Sequence, residues 1–251
     1  MKEKERPRKA VIMGATSGIG RRVAELLIDE GWTLAVCGRN TRALDDVVSL
    51  APERVRGYAI DITQADAESE LRRAIEEMES DGRRVDVYLH VAGTGSQNRS
   101  LDGTIEERTV MTNAMGFTRM VGVAYRHFAA RGAGHIAVIS SIAGTRGLGA
   151  APSYSATKAF QNTYVEALAQ LARMEGKGVC FTDIRPGFVR TPLLGANPSY
   201  PMLMDVDGTA RRVVAAVKRR REVAVIDWRW RIVTALWRLI PHCVWRRLRI
   251  G

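Results

Sequence analysis

Long apolar runs are missing from this chain. No segment reaches about 18 uninterrupted apolar residues, which excludes a membrane-spanning helix. Cysteine is scarce too: Cys37, Cys180 and Cys243 are the only three in 251 residues. They are too few and too scattered for a disulfide framework. No His, Cys and carboxylate cluster has metal-ligand spacing, so no metal site is expected. Cys37 and Cys180 lie in apolar runs and read as buried thiols, which fits a reducing, cytoplasmic setting. The charged start, MKEKERPRK, leads straight into a strand-like run with no apolar leader core, so a secretory signal is not expected. Internal repeats and low-complexity linkers are also lacking.

Acidic charge is in short supply at the two ends. The net charge is +11, of which residues 1–9 carry +3 (five basic, two acidic) and residues 228–251 carry +6 (six Arg, no acid). That leaves +2 for everything between, so the body of the protein is nearly neutral. Charge spread in this way does not describe a broad nucleic-acid-binding face. The N-terminal charge reads as a solvated tail.

What the chain does have is alternation. Short runs rich in Val, Ile and Ala predict strands at 10–14, 33–38, 54–61, 85–93, 135–144, 178–187 and 222–227. Helix-period segments lie between them, at 19–31, 41–51 with Thr41 as its cap, 64–80, 104–131 with a break near Gly116, 152–176 and 207–221. Strands apolar throughout are buried on both faces, the pattern of a parallel sheet. The expected fold is a doubly wound α/β sheet of about seven parallel strands in a single domain. The domain spans residues 10–227, between a tail at 1–9 and a helical extension at 228–251.

Ligands of such sheets bind at the carboxyl ends of the strands, and the residues there are informative. The first strand is followed by GATSGIG, with Gly14, Gly18 and Gly20 spaced so that the backbone can turn tightly against a pyrophosphate at a helix N-terminus. It is not a Walker loop, because Arg21 and Arg22 follow where Lys and Ser or Thr would stand. The second strand is followed by Arg39 rather than an acid, and a guanidinium fork suits a ribose 2′-phosphate. Asp61, after the third strand, can cap the next helix or accept from an adenine amino group. The fourth strand leads into HVAG, with Gly93 and Gly95 allowing close approach. Ser140 and Ser141 end the fifth strand, and strand alternation points them to opposite faces. Tyr154 and Lys158 stand one helical turn apart.

In order and spacing, GATSGIG, HVAG, Asn113, Ser141, YSATK and RPGFVRT resemble the short-chain dehydrogenase/reductase family over residues 9–227. The resemblance implies a Rossmann-type domain, a nicotinamide cofactor and hydride transfer between a carbonyl and an alcohol. It makes Tyr154 the general acid/base, with its phenolate stabilised by Lys158, and has Ser141 hydrogen-bond the reacting oxygen. Asn113 would anchor a water linking Lys158 to solvent. Cofactor contacts are implied at Gly14, Thr16, Ser17, Gly18, Ile19, Gly20, Arg39, Asp61, Ile62, Ala92, Gly93, Tyr154, Lys158, Pro186, Gly187, Val189 and Thr191. Arg39 favours NADP(H) over NAD(H). The family usually has Asn-Asn-Ala-Gly after the fourth strand; His90 and Val91 replace the two Asn here, and His90 reads as a hydrogen-bonded structural histidine.

The segment after Gly187 would cover the substrate. Leu193, Leu194, Tyr200, Met202, Leu203 and Met204 make it apolar, which suits a lipid-like or steroid-like carbonyl, or else plain core packing. Residues 228–251 interleave four of the five Trp with six Arg, and Pro241 splits them. Peripheral membrane contact and packing on the protein itself are both open for this extension. Family resemblance further implies a homodimer or homotetramer through 104–131 and 152–176. The alternative reading is a catalytically idle nucleotide-binding sensor or membrane-associated assembly protein.

Overall fold

The computed structural model describes residues 8–194, 200–248 and 250. Seven parallel strands form one sheet: β1 (Lys9–Met13), β2 (Thr33–Gly38), β3 (Val55–Ala59), β4 (Val87–His90), β5 (Ala133–Ile139), β6 (Gly178–Arg185) and β7 (Val223–Val225). Their order is β3-β2-β1-β4-β5-β6-β7. The order therefore reverses between β1 and β4, which pair from Ala10 with Val87 to Met13 with His90. Sheets of this kind bind their ligands in the crevice at the carboxyl end of such a reversal.

Nine helices are found among the described residues: α1 (Gly18–Asp29), α2 (Thr41–Val48), α3 (Ala67–Glu79), α4 (Gly103–Val110), α5 (Phe117–Ala130), α6 (Pro152–Met174), α7 (Val206–Lys218), α8 (Trp228–Leu239) and α9 (His242–Trp245). Two cores flank the sheet. One face receives Val23 and Leu27 of α1, Leu44 of α2 and Val213 of α7. The other receives Leu71 of α3, Phe128 of α5 and Val165 of α6. All five residues of β1 are buried: Ala10 and Ile12 supply one core, Val11 and Met13 the other, and Lys9 bonds to the Met78 carbonyl and Asp81.

Sequence periodicity and structure part company in a few places. The cap of α2 is Asn40, not Thr41: its side chain accepts from the Ala43 amide at 3.1 Å. The strand expected over 85–93 ends at His90, because the amides of Val91 and Ala92 both turn to the Met13 carbonyl, each at 2.8 Å. The expected break near Gly116 is a π-helical stretch, Met111–Gly116, that joins α4 to α5 without interruption. Gly116 is pressed on Ile62; a Cβ there would stand 2.8 Å from the isoleucine side chain. Such widened turns gather at functional sites, and this one carries Asn113. Cys37 is buried and its thiol is pushed up to about 12 by burial, whereas Cys180 is half-buried and Cys243 exposed.

Candidate active site

The glycine turn closes the carboxyl end of β1. Gly14 has φ +97°, and a Cβ there would come within 2.5 Å of the Ala92 amide, so the turn lies directly on the loop after β4. Ser17 stands at the N-cap of α1, yet its side chain makes no cap hydrogen bond. Its exposed hydroxyl and the first amides of α1 are therefore left without a cap bond, donors of the kind a pyrophosphate needs. Thr191 comes from the loop after β6 to within 3.1 Å of a Cβ built on Gly18, so three strand ends meet at one place. Thr16 and Ile19 are half-buried in the same turn, while Gly20 is buried against the Gly14 carbonyl. The donor set, the glycine cradle and the convergence of loops fit a dinucleotide.

The remaining cofactor candidates are placed unevenly. The Arg39 guanidinium is largely exposed and stands 3.8 Å from Asp61. Asp61 does not cap a helix: it accepts from the amide and hydroxyl of Thr63 at 3.0 and 2.8 Å, and α3 begins only at Ala67. Ile62 and Val189 send their side chains into the two cores, leaving only backbone for the crevice. Ala92 and Gly93 line the loop after β4, and Pro186 is buried ahead of the half-buried Gly187.

The two serines divide as strand alternation demands. Ser140 donates to the carboxylate of Asp183, which is paired at 2.7 Å with Arg185 and buried. Ser141 instead caps the short turn Ile142–Thr145, accepting from the Ala143 amide at 3.1 Å, and its own proton is left for Tyr154 or a ligand. The Tyr154 ring lies flat against Gly95, where a Cβ would reach 2.2 Å from Cδ2, so only glycine permits this position. Burial pushes the Tyr154 phenol above its ordinary range, and the Ser141 hydroxyl pulls it back in part. An undisturbed Tyr154 thus holds its proton firmly.

Lys158 sits one turn further along α6, its Nζ 5.8 Å from the Tyr154 ring centre. Burial lowers the ammonium to about 8, and the negative charge of Asp183 opposes the drop. Its hydrogen bonds go to the Ile139 carbonyl at 3.1 Å and to Gln161 Oε1 at 2.9 Å. The same Gln161 donates through Nε2 to the Asn113 carbonyl at 2.9 Å. A side-chain amide therefore links the Asn113 carbonyl to Lys158. The Asn113 side chain is occupied elsewhere, accepting from the Thr94 amide at 2.8 Å and donating to the Thr94 carbonyl at 2.6 Å. Gln161 was missed in the sequence, although its signal was present: it lies three residues beyond Lys158 on the same helix face.

His90 is structural. It is buried, bonded through Nδ1 to the Tyr88 hydroxyl at 2.9 Å, and set edge-on to Phe117 at 5.2 Å. Burial, aided by the charge on Lys158, drops its imidazole to about 3, so it stays neutral.

Of the expected substrate cover, residues 195–199 lie outside the described residues. On one side of them Leu193 is exposed; on the other, Met204 is buried in the core. Tyr200 stacks on Phe188 at 4.5 Å, and its hydroxyl receives a bond from Gln97 of the opposite loop at 3.4 Å. Tyr200 and Phe188 thus make an aromatic wall beside the site. Among the described residues no group of His, Cys, Asp and Glu is placed to hold a metal.

The sheet order and the glycine turn define a class, the Rossmann-type dinucleotide folds. The sequence profile for short chain dehydrogenase matches residues 8–200, well over half of the chain. The protein belongs to the short-chain dehydrogenase/reductase family and is an oxidoreductase. It is 31% identical to an oxidoreductase of uncharacterised activity from Myxococcus xanthus, over 96% of this chain and 98% of that one. Among solved structures it resembles a short chain dehydrogenase from Burkholderia cenocepacia in complex with NADP (TM-score 0.81, 20% identity, 98% of both chains). It also resembles a bulky-bulky ketone specific alcohol dehydrogenase from Comamonas testosteroni (TM-score 0.75, 23% identity, 97% and 96% of the chains).

Proposed function

We propose that this protein is an NADP(H)-dependent oxidoreductase that interconverts an apolar carbonyl compound and its alcohol. The observation that carries the reading is the grouping of buried Ser141 and Lys158 with half-buried Tyr154, whose ring rests on Gly95 of the loop after β4. When bound, the nicotinamide supplies or accepts the hydride. Tyr154 donates its proton to the carbonyl oxygen in reduction and takes it back in oxidation. Ser141 holds that oxygen by a hydrogen bond that strengthens as charge develops. Lys158, kept as an ammonium by two acceptors, lowers the cost of the phenolate. Phe188 and Tyr200 give the substrate an apolar wall, and the Comamonas enzyme's bulky ketones are in keeping with it.

The test is binding of NADPH and NADH to the purified chain, followed by cofactor consumption over keto-lipids, steroids and small ketones. NADPH binding with turnover of an apolar ketone is the expected result. Binding without turnover of any carbonyl would favour the idle sensor, and no binding would overturn the reading.

Arg39 provides the cofactor preference in this proposal, its fork taking the 2′-phosphate in exchange for Asp61. A charge-assisted bond of this kind contributes roughly 1.5–3 kcal/mol. Arg39→Ala is therefore expected to weaken NADPH by about 10- to 100-fold and to leave NADH nearly unchanged, read by fluorescence titration. Equal loss for both cofactors would remove Arg39 from the phosphate site.

We extend the proposal to a homo-oligomer and to peripheral membrane contact through residues 228–251. Val110, Met111, Met115 and Phe160 form exposed apolar surface on the helices around the π turn. Such a patch favours a partner helix pair. Met115→Glu with Phe160→Glu is expected to reduce the mass in light scattering to that of the monomer; an unchanged mass would place the interface elsewhere.

A further inference from the structure

The extension after β7 has two faces of different chemistry. Its inner face is pinned. Trp230 is buried, set edge-on to Phe188 at 5.6 Å and to Trp237 at 6.3 Å. Arg146, from the loop after Ser141, donates to the carbonyls of Trp237, Arg238 and Ile240 at 3.1, 2.9 and 2.7 Å. These carbonyls lie at the end of α8, where helix carbonyls lose their intrahelical partners; that of Trp237 also accepts from the Ile240 amide at 3.3 Å. Trp245 of α9 donates to the Gly147 carbonyl at 2.8 Å. The extension is thus fastened beside the candidate site.

The outer face is bare. Trp228, Ile232, Leu236 and Leu239 are exposed by 67, 51, 56 and 78%. At about 100° per residue they fall within about 80° of one another, opposite Trp230 and Trp237. Arg229 borders this stripe on one side, Arg231 and Arg238 on the other. The apolar ridge runs directly into a cleft of about 240 Å³ between α7, β7 and α8, whose lining includes Arg212, Arg219, Arg221, Arg231, Trp228 and one acid, Asp227. Asp227, the acid of that lining, is paired with Arg229 at 2.8 Å. Four guanidinium groups therefore line one recess with a single carboxylate, that of Asp227, which feels the charge of Arg212 and is bonded to Arg229.

A second copy of this chain is a poor occupant. A two-fold contact centred on the cleft would lay the arginine recess against its own image, and residues 228–251 contain no acid to interleave. An apolar ridge flanked by arginines, next to a basic recess, fits the depth profile of an anionic bilayer, with acyl chains under the ridge and phosphates in the recess.

We propose that the cleft between α7, β7 and α8 is a headgroup site for anionic phospholipid, seated as the outer stripe of α8 enters the interface. The inference rests on the peripheral-contact reading and is independent of the reaction. Fastened through Trp230 and Arg146, the docked helix would hold the substrate-side loops near the lipid surface.

The test is co-sedimentation of the full chain with phosphatidylcholine vesicles and with vesicles carrying a minority of phosphatidylglycerol. Stronger partitioning to the anionic vesicles is expected, falling with salt. The triple variant Arg212→Gln, Arg219→Gln, Arg221→Gln is expected to lose about fivefold per arginine, about a hundredfold in all, on anionic vesicles. Leu236→Ser with Leu239→Ser is expected to weaken binding to both kinds. All five positions lie away from the candidate catalytic residues, and circular dichroism checks folding. Equal binding to the two vesicle types would overturn the headgroup site and leave peripheral contact standing. Binding to neither would remove both. Competition by inorganic phosphate with no vesicle binding would make the recess a site for free anions. Tighter binding to duplex DNA at equal salt would make the surface a nucleic-acid face and overturn the proposal.

Discussion

Tyr154→Phe is expected to lower kcat by about a thousandfold, the share that a positioned proton donor supplies, and to leave NADPH affinity and thermal stability near those of the parent. The variant keeps the ring that rests on Gly95 and loses only the hydroxyl, so the fold has no reason to change. In the proposed mechanism no other group near Ser141 can deliver a proton. His90 is buried and held neutral far below its usual range, and Lys158 is directed at two acceptors. Stopped-flow reduction of a ketone by the variant, with NADPH binding measured separately, checks the expectation. Full activity would remove Tyr154 from the chemistry, whereas loss of cofactor binding together with activity would make it a structural residue.

The second large effect concerns Gln161, which touches no reacting atom and acts through Lys158. Its Oε1 accepts from the buried ammonium at 2.9 Å, which favours the charged form. Gln161→Leu leaves Nζ with the Ile139 carbonyl as its one acceptor among the described residues and strands the Asn113 carbonyl in the interior. Losing a bond to a buried charge costs roughly 1.5–3 kcal/mol, or one to two pKa units. The sign follows directly: with less support for the ammonium, Lys158 drops further below its present value of about 8. The alkaline limb of kcat is then expected to move to lower pH by about one to two units. Gln161→Glu keeps an acceptor and adds a negative charge, so it is expected to move the limb upward. Opposite shifts in a pH profile are something a packing role cannot produce. Coincident profiles for the parent and both variants would show that Lys158 does not need Gln161.

These two residues also mark what was legible beforehand. Tyr154 and Lys158 stand one turn apart on a single helix, so a local rule of spacing finds them. Gln161 obeys the same rule, but its meaning depends on the Asn113 carbonyl, 48 residues away in sequence. Asn113 was identified by resemblance, yet it stands in a π-helical turn whose last residue, Gly116, lies against Ile62, a contact between distant segments. Asp61 illustrates the limit from another side. Both expected uses placed it correctly after β3, but the Thr63 side chain and the Arg39 guanidinium, not a helix end, receive its oxygens.

By itself the sequence determined the alternation of strands and helices, the parallel sheet, the glycine turn and the candidates at the strand ends. Each of these is encoded in neighbouring residues, through a period of two or of 3.6 and through the freedom of glycine. Tertiary structure alone decided which oxygen Lys158 bonds, that Asp183 takes up the Ser140 hydroxyl, and which side of α8 is left bare. Those outcomes depend on groups brought together across the sheet, where burial removes water and each polar atom must take the partner that packing sets beside it.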